Sequence, residues 1–289
     1  MAENKSVVII EADENSVTEQ IIAEIYDAVS KRLAVILNLN YLENIDKEEK
    51  IFRFMKDNYG DRVRQIAEHV YVIAVREDRL IAIGDIHAEI DKLNNLLEKL
   101  APTENDKLVF LGDYIDRGQD SVAVVERLLE LQKQTNCIFL KGNHEQMFLD
   151  ALKTMSDEAV AKCVINGGAE TLKDYLQMKK DDIEKFKRHI KFFKSLKLYY
   201  MTEKYFFVHA GLCPMKNMIE QEEDDFLWLR DNFVENSVQI QQKVIFGHTV
   251  FDSPYIEDDK IGINTGCGIV DEAPLTAYIC NENKFIQSD

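Results

Sequence analysis

Proline is scarce in this 289-residue chain, with four residues, and the twelve glycines form no linker, repeat or low-complexity tract. A string of domains on flexible tethers is therefore not expected, and the length suits one large domain or a medium and a small one. The five cysteines (Cys137, Cys163, Cys213, Cys267, Cys280) are odd in number and include no Cys-x-x-Cys pair. That excludes a disulfide framework and fits a reducing, cytoplasmic setting. No apolar run reaches the length of a membrane span, and the opening Met-Ala-Glu-Asn-Lys-Ser lacks a signal peptide's apolar core. Positive charge is short as well: 35 Lys+Arg stand against 52 Asp+Glu, a net of −17. Nucleic acid wants a basic surface and is not expected as a partner; no membrane partner is expected either, for want of a long apolar run. The acidity is general, with 10 basic against 16 acidic residues through position 78 and 25 against 36 beyond it. A phosphate substrate would need strong positive charge supplied locally.

Apolar residues make up 46% of the chain, ordinary for a globular protein. Residues 7–11 read as a strand. Ser16-Val-Thr-Glu19 reads as a capping box, with Ile22, Ile25, Ala28 and Val29 at helical spacing behind it. A strand begins at Leu33 and runs through Asn40, a helix carries Ile51, Phe54 and Met55 on one face, and Val70–Val75 is a further strand. This β-α-β-α-β order predicts a small α/β domain over 1–78, with Arg76-Glu-Asp-Arg79 as the turn leaving it.

From Leu80 onward, over 79–289, short apolar strands each end in a loop of glycine with Asp, Asn or His. The loops are Gly84-Asp85-Ile86-His87, Gly112-Asp113-Tyr114-Ile115-Asp116-Arg117-Gly118, Gly142-Asn143-His144-Glu145, His209-Ala210-Gly211 and Gly247-His248-Thr249. Polar residues gathered at the carboxyl ends of successive strands are where α/β folds place their sites. Residues 146–198 read as mainly helical, broken at Asn166-Gly167-Gly168. Four of the six histidines sit in the strand-end loops. One such histidine is ordinarily a hydrogen-bonded loop residue; four, three of them with Asp or Asn close by, point to metal. Mixed imidazole and carboxylate donors suit Mn, Fe or Zn, and scattered cysteines argue against a structural zinc site.

The ordered series GDIH, GDYIDRG, GNHE, HAG and GHT resembles the phosphoprotein phosphatase branch of the calcineurin-like metallophosphoesterases. Asn166-Gly-Gly-Ala-Glu-Thr-Leu, Leu227-Trp-Leu-Arg230 and Ile263-Asn-Thr-Gly266-Cys267 are similar to its bacterial members. The resemblance implies a four-layer α/β/β/α sandwich of two mixed sheets flanked by helices. It implies two divalent ions, expected to be manganese, one held by Asp85, His87 and Asp113, the other by Asp113, Asn143, His209 and His248. Such ions share a hydroxide for in-line attack on phosphorus. His144 becomes the general acid, Asp116 its partner, and Arg117 and Arg230, with Asn143, the groups that bind phosphate. The plainer alternatives are helix caps for Asp113 and Asp116, a Glu145 ion pair for Arg117 and a surface ion pair for Arg230. Trp228 reads as core and Cys267 as a buried strand-end residue. Two positions depart from the family: Ala88 replaces a usual glycine, and Asn264 replaces the Asp of Asp-Thr-Gly, removing a carboxylate expected to support a metal ligand.

The expected activity is protein serine/threonine dephosphorylation, with phosphotyrosine a further substrate. The alternative within the same chemistry is hydrolysis of dinucleoside polyphosphates of the diadenosine tetraphosphate type. Outside it stands a self-associating scaffold with vestigial catalysis. Residues 1–78 look like the core of SepF-type cell-division proteins, on their apolar pattern and the Asn-Leu-x-x-Leu sequence, and that resemblance implies self-association as a homodimer; the plainer alternative is an α/β extension packed on the catalytic domain.

Overall fold

The computed structural model describes residues 7–13, 17–30, 34–41, 45–59, 63–73 and 78–289. They fall into two compact units, one ending at Glu77 and one beginning at Asp78. Asp78 goes with the second unit: its carbonyl accepts from Asn281 Nδ2 at 3.3 Å.

The first unit runs β1 (Val7–Asp13), α1 (Thr18–Ser30), β2 (Ala34–Tyr41), α2 (Ile45–Tyr59), β3 (Val63–Ala67) and β4 (Val70–Ile73). Its sheet order is β1-β2-β4-β3, with β1 and β2 parallel across the α1 crossover and β3–β4 an antiparallel hairpin. The hairpin corrects the expected order: β3 is an extra strand hidden in charged sequence, turned by Glu68 and His69, the latter at φ 56°. One sheet face (Ile10, Val35, Leu37, Ile73) packs on Ile25 of α1 and on Ile51 and Met55 of α2. Ile21 takes the buried place on α1 expected for Ile22. The predicted cap at Ser16 and the first half of the turn at 76–79 lie outside the described residues.

The second unit holds two five-stranded mixed sheets. The first has β5 (Leu80–Ile83), β6 (Lys107–Phe110) and β7 (Asn136–Phe139) in parallel, flanked by antiparallel β13 (Thr276–Ile279) and β14 (Lys284–Gln287). The second orders β11 (Tyr255–Ile256), β12 (Lys260–Gly262), β10 (Lys243–Phe246), β9 (Tyr205–Val208) and β8 (Tyr199–Met201). Strand periodicity explains the layering. In β5 and β6, Ile81, Ile83, Leu108 and Phe110 point to one core, and Ala82 and Val109 to another. In β9 and β10, Phe207 and Ile245 join Ala82 and Val109, whereas Phe206, Val208, Val244 and Phe246 face outward to Phe226 and Phe233. The sheets thus stack face to face. Outside the first lie α3 (Ile90–Leu100), α4 (Ser121–Leu131), α5 (Asn143–Thr154), α6 (Asp157–Ile165), α7 (Ala169–Asp181) and α8 (Ile183–Ser195); outside the second lie the short α9 (Glu223–Trp228) and α10 (Asp231–Val234). This is the four-layer sandwich expected. Strands covered on both faces read as continuous apolar runs for that reason. No helix among the described residues is long and apolar enough to cross a membrane.

Candidate metal centre

The parallel strands of both sheets deliver their carboxyl ends to one place. β5 leads to Asp85 and His87, β6 to Asp113 and Asp116, β9 to His209, β10 to His248 and β12 to Asn264. All of these side chains are buried, as are Asn143 and His144 at the start of α5. The loops turn sharply, and His87, Asp113, Asp116 and His248 occupy left-handed backbone with φ 46°, 51°, 72° and 56°. Each such residue costs about 1–2 kcal/mol. Cross-loop bonds offset it: the Ile86 and His87 amides donate to the Asp113 carbonyl at 3.0 and 2.9 Å. Glycine at 142 is required by approach, since a Cβ there would run into the Asp113 carboxylate.

Asp113 stands at the middle. Its Oδ2 lies 3.7 Å from His87 Nε2, 3.9 Å from His144 Nε2 and 3.4 Å from His209 Nε2. Two donor groups share it: His87, Asp113 and His144 on one side, and Asp113, His209 and His248 on the other. His209 Nε2 also meets Asn143 Oδ1 at 2.9 Å. The Asp85 carboxylate accepts from the His248 amide at 3.0 Å and from Asn264 Nδ2 at 2.7 Å. The structure thus draws the six residues expected to hold metal into one pocket. It brings His144 within reach of the first donor group too, where Asp85 was expected.

Tautomers follow from the partners. His87 Nδ1 donates to the Ile115 carbonyl (3.2 Å) and His209 Nδ1 to the Leu111 carbonyl (2.9 Å), which turns both Nε2 atoms inward. Burial drives His87 down to about 3 and His248 down to about 2, so both are neutral electron-pair donors. His248 Nε2 is buried and has no hydrogen-bond partner. An orphaned imidazole nitrogen facing carboxylates is what a cation would satisfy. Charge points the same way. Burial, helped by the Asp113 charge, lifts both Asp85 and Glu145 to about 7. Burial opposes a charged His209, yet the charge and hydrogen bond of Asp113 outweigh it and raise the imidazole to about 9. The imidazolium fills a place a dication would take, and the donor set fits divalent metal. Divalent ions there would supply activation of water and neutralisation of phosphoryl oxygens.

His144 is set apart by its second nitrogen. Nδ1 donates to Asp116 Oδ2 at 2.7 Å, inside a buried pair, and Nε2 faces the pocket. Burial disfavours its charged form, but Asp113 and Asp116 outweigh that and hold the imidazole above its usual value. A protonated imidazole with its other nitrogen clamped by a carboxylate suits proton donation to a leaving oxygen. Asp116 is held in turn by Ser121 Oγ on its amide (3.0 Å), and Ser121 by Thr171 (2.7 Å). Neither Asp113 nor Asp116 caps α4, whose cap is Asp120 through the Ala123 amide; Asp113 Oδ1 does accept the His144 amide in the first turn of α5, at 3.1 Å.

Arg117 and Arg230 are exposed beside this buried cluster. Arg117 Nε donates to the Asn166 carbonyl and Arg230 Nη1 to the His248 carbonyl; among the described residues neither is in an ion pair. The surface ion pairs weighed for them are absent there, and Glu145 is engaged elsewhere. Trp228, partly buried, packs at the core's edge with Lys162 Nζ 4.5 Å from its ring centre. Cys267 is buried and its thiol is pushed up to about 12 by burial.

Sequence reasoning missed two supports. Glu145 accepts the amides of Asp113 (2.9 Å), Tyr114 (2.8 Å) and Gly142 (2.9 Å), tying two site loops together; its place three residues into α5 was the available signal. Asn264 was expected to be a loss. Its amide instead donates to Asp85 while its Oδ1 accepts from Gly266 (3.0 Å), and an ionised Asp has no proton for the first bond.

Comparison with known proteins agrees with this chemistry. The calcineurin-like phosphoesterase family model matches residues 78–286. Serine/threonine-protein phosphatase 2 of Escherichia coli is 31% identical over 199 residues, 64% of this chain and 85% of that protein. The asymmetrical bis(5'-nucleosyl)-tetraphosphatase PrpE of Oceanobacillus iheyensis is 25% identical over 233 residues, 71% of this chain and 89% of that one. Among solved structures, a putative diadenosine tetraphosphatase shares the fold with a TM-score of 0.55, at 20% identity over 73% of this chain and 93% of its own. With the motifs in order and the donors converging, the chain belongs to the calcineurin-like phosphoesterases, on their phosphoprotein phosphatase branch, and it is a phosphoester hydrolase.

Proposed function

We propose that this enzyme is a protein serine/threonine phosphatase with manganese at a two-ion centre. Asp85, His87 and Asp113 would hold one ion; Asp113, Asn143, His209 and His248 would hold the other. His144 gives its Nε2 proton to the leaving serine or threonine oxygen, and Asp116 keeps that imidazole oriented and charged. The observation that carries the protein-substrate reading is the mouth of the site. Two exposed guanidiniums, Arg117 and Arg230, have no ion-pair partner among the described residues. Two such forks match one phosphomonoester dianion. A dinucleoside tetraphosphate brings about four negative charges to a chain of net charge −17.

Hydrolysis of dinucleoside polyphosphates is the second reading, favoured by the likeness to the Oceanobacillus protein across 71% of the chain. Turnover of phosphoserine and phosphothreonine peptides and of diadenosine tetraphosphate, side by side at fixed Mn²⁺, separates the two. We expect kcat/KM for the best peptide to lead at least tenfold, with Arg117→Ala and Arg230→Ala each lowering it mainly through KM. The reverse order of substrates overturns the protein-phosphatase reading.

The first unit is proposed to self-associate. Ile9, 63% exposed, aligns with Ile36, and Ile36 with Val72, in an apolar row on the sheet face away from α1 and α2.

A further inference from the structure

Residues 173–197 reverse the charge of the rest of the chain. They hold nine Lys and Arg against four Asp and Glu, in a protein of net charge −17. This stretch covers the end of α7 and all of α8. α8 buries His189, Phe192 and Phe193 and leaves Lys187, Arg188, Lys191 and Lys194 exposed.

Beside that helix lies a groove of about 900 Å³ between α3, α4 and α8. Its floor is apolar, with Leu129 and Phe192, and its walls carry Arg127, Lys133, Arg188 and Lys191 together with Glu126 and Glu130. Two of these are partly neutralised: Arg188 bonds Glu126 at 2.5 Å and Arg127 lies 3.7 Å from Glu130. Lys133 and Lys191 have no carboxylate partner among the described residues. None of these residues belongs to the metal centre.

We infer that this groove docks an acidic segment of a partner protein that carries apolar side chains among its carboxylates or phosphates. Charge complementarity selects the occupant. An acidic chain entering the groove meets two uncompensated ammonium groups and a floor for its apolar residues, whereas the rest of the surface repels it. Concavity and an apolar floor disfavour a flat anionic membrane. The apolar face of α8 is already spent on the core, so the helix has none to insert into lipid. The basic row runs past the groove through Lys187 and Lys194, longer than a small anion needs. Docking here is independent of which phosphoester the metal centre cleaves.

The test measures binding of a fluorescein-labelled twelve-residue Glu/Leu peptide to the full-length enzyme by anisotropy. A Lys/Leu peptide, phosphatidylglycerol vesicles and a single-stranded oligonucleotide are run beside it. The acidic peptide is expected to bind saturably at one site, with affinity falling as salt rises. The exposed double variant Lys133→Glu/Lys191→Glu is expected to weaken it at least tenfold while leaving turnover of an aryl phosphate unchanged. Unchanged affinity in that variant, or tighter binding of the vesicles or the oligonucleotide than of the peptide, overturns the proposal.

Discussion

At the scale of single residues, the site separates imidazoles that share a pocket by what sits on their far nitrogen. His87 and His209 donate Nδ1–H to carbonyl oxygens, and His144 donates to the buried Asp116 carboxylate. A carbonyl fixes a tautomer; a carboxylate on the far nitrogen also favours the charged ring, a preference His209 draws instead from Asp113 at its inner nitrogen. His144→Asn is therefore expected to cut turnover of a phosphoserine peptide about 10²–10⁴-fold. Metal content should stay near wild type, and the loss should be smaller for an aryl phosphate, whose leaving group needs less protonation. An equal loss for both substrates would contradict proton donation by His144. Motif order made His144 and Asp116 legible in the sequence. Asn264 was legible as a departure but not as a donor, because its partner Asp85 is 179 residues away and the bond exists only once the sheet holding β12 stacks on the sheet holding β5.

At the scale of elements, strands buried on both faces announced themselves as apolar runs ending in glycine loops. β5, β6, β9 and β10, with the half-buried edge strand β7, each run into the loop expected to follow them. Strands with one wet face did not. β3 offers only Val63 to the core and exposes its remaining four residues, and the turn beside it has neither Gly nor Asn to mark a hairpin. The connection between site loops was equally hidden, since Glu145 acts through three backbone amides that carry no sequence signal. In Glu145→Gln one amide nitrogen must face a buried N–H donor. Each donor so stranded costs about 1–3 kcal/mol. Fluorescence of Trp228, the one tryptophan, reports unfolding of the catalytic unit. A lower urea midpoint together with weaker metal retention is expected; unchanged values of both would refute a tying role for Glu145.

An ion pair holds the start of the catalytic unit. Arg79 Nη2 meets Asp106 Oδ2 at 2.7 Å, and the Arg79 and Thr103 amides also donate to that carboxylate. Burial alone would raise Asp106, but these bonds outweigh it and lower the group to about 2. A depressed carboxylate stabilises fully above its unfolded value near 4 and loses that stabilisation as pH falls through 2. Asp106→Asn should therefore cost about 2 kcal/mol at pH 7. That gap should close on acidification between pH 4 and 2. A gap constant across that range would mean the cost is one of packing rather than charge.

For the whole molecule, the governing fact is that an acidic chain handles an anionic substrate. Four buried carboxylates, Asp85, Asp113, Asp116 and Glu145, lie at or beside the reaction centre and would repel phosphate on their own. Divalent cations would invert that sign, and the buried, partnerless His248 Nε2 beside Asp113 and His209 is a donor set that suits them. The most direct measurement is turnover of a phosphopeptide against metal content in the full-length enzyme. After exhaustive chelation the enzyme should be inactive, and activity should return with Mn²⁺ and saturate near two ions per chain. Full turnover by protein stripped of metal would contradict the account at its centre.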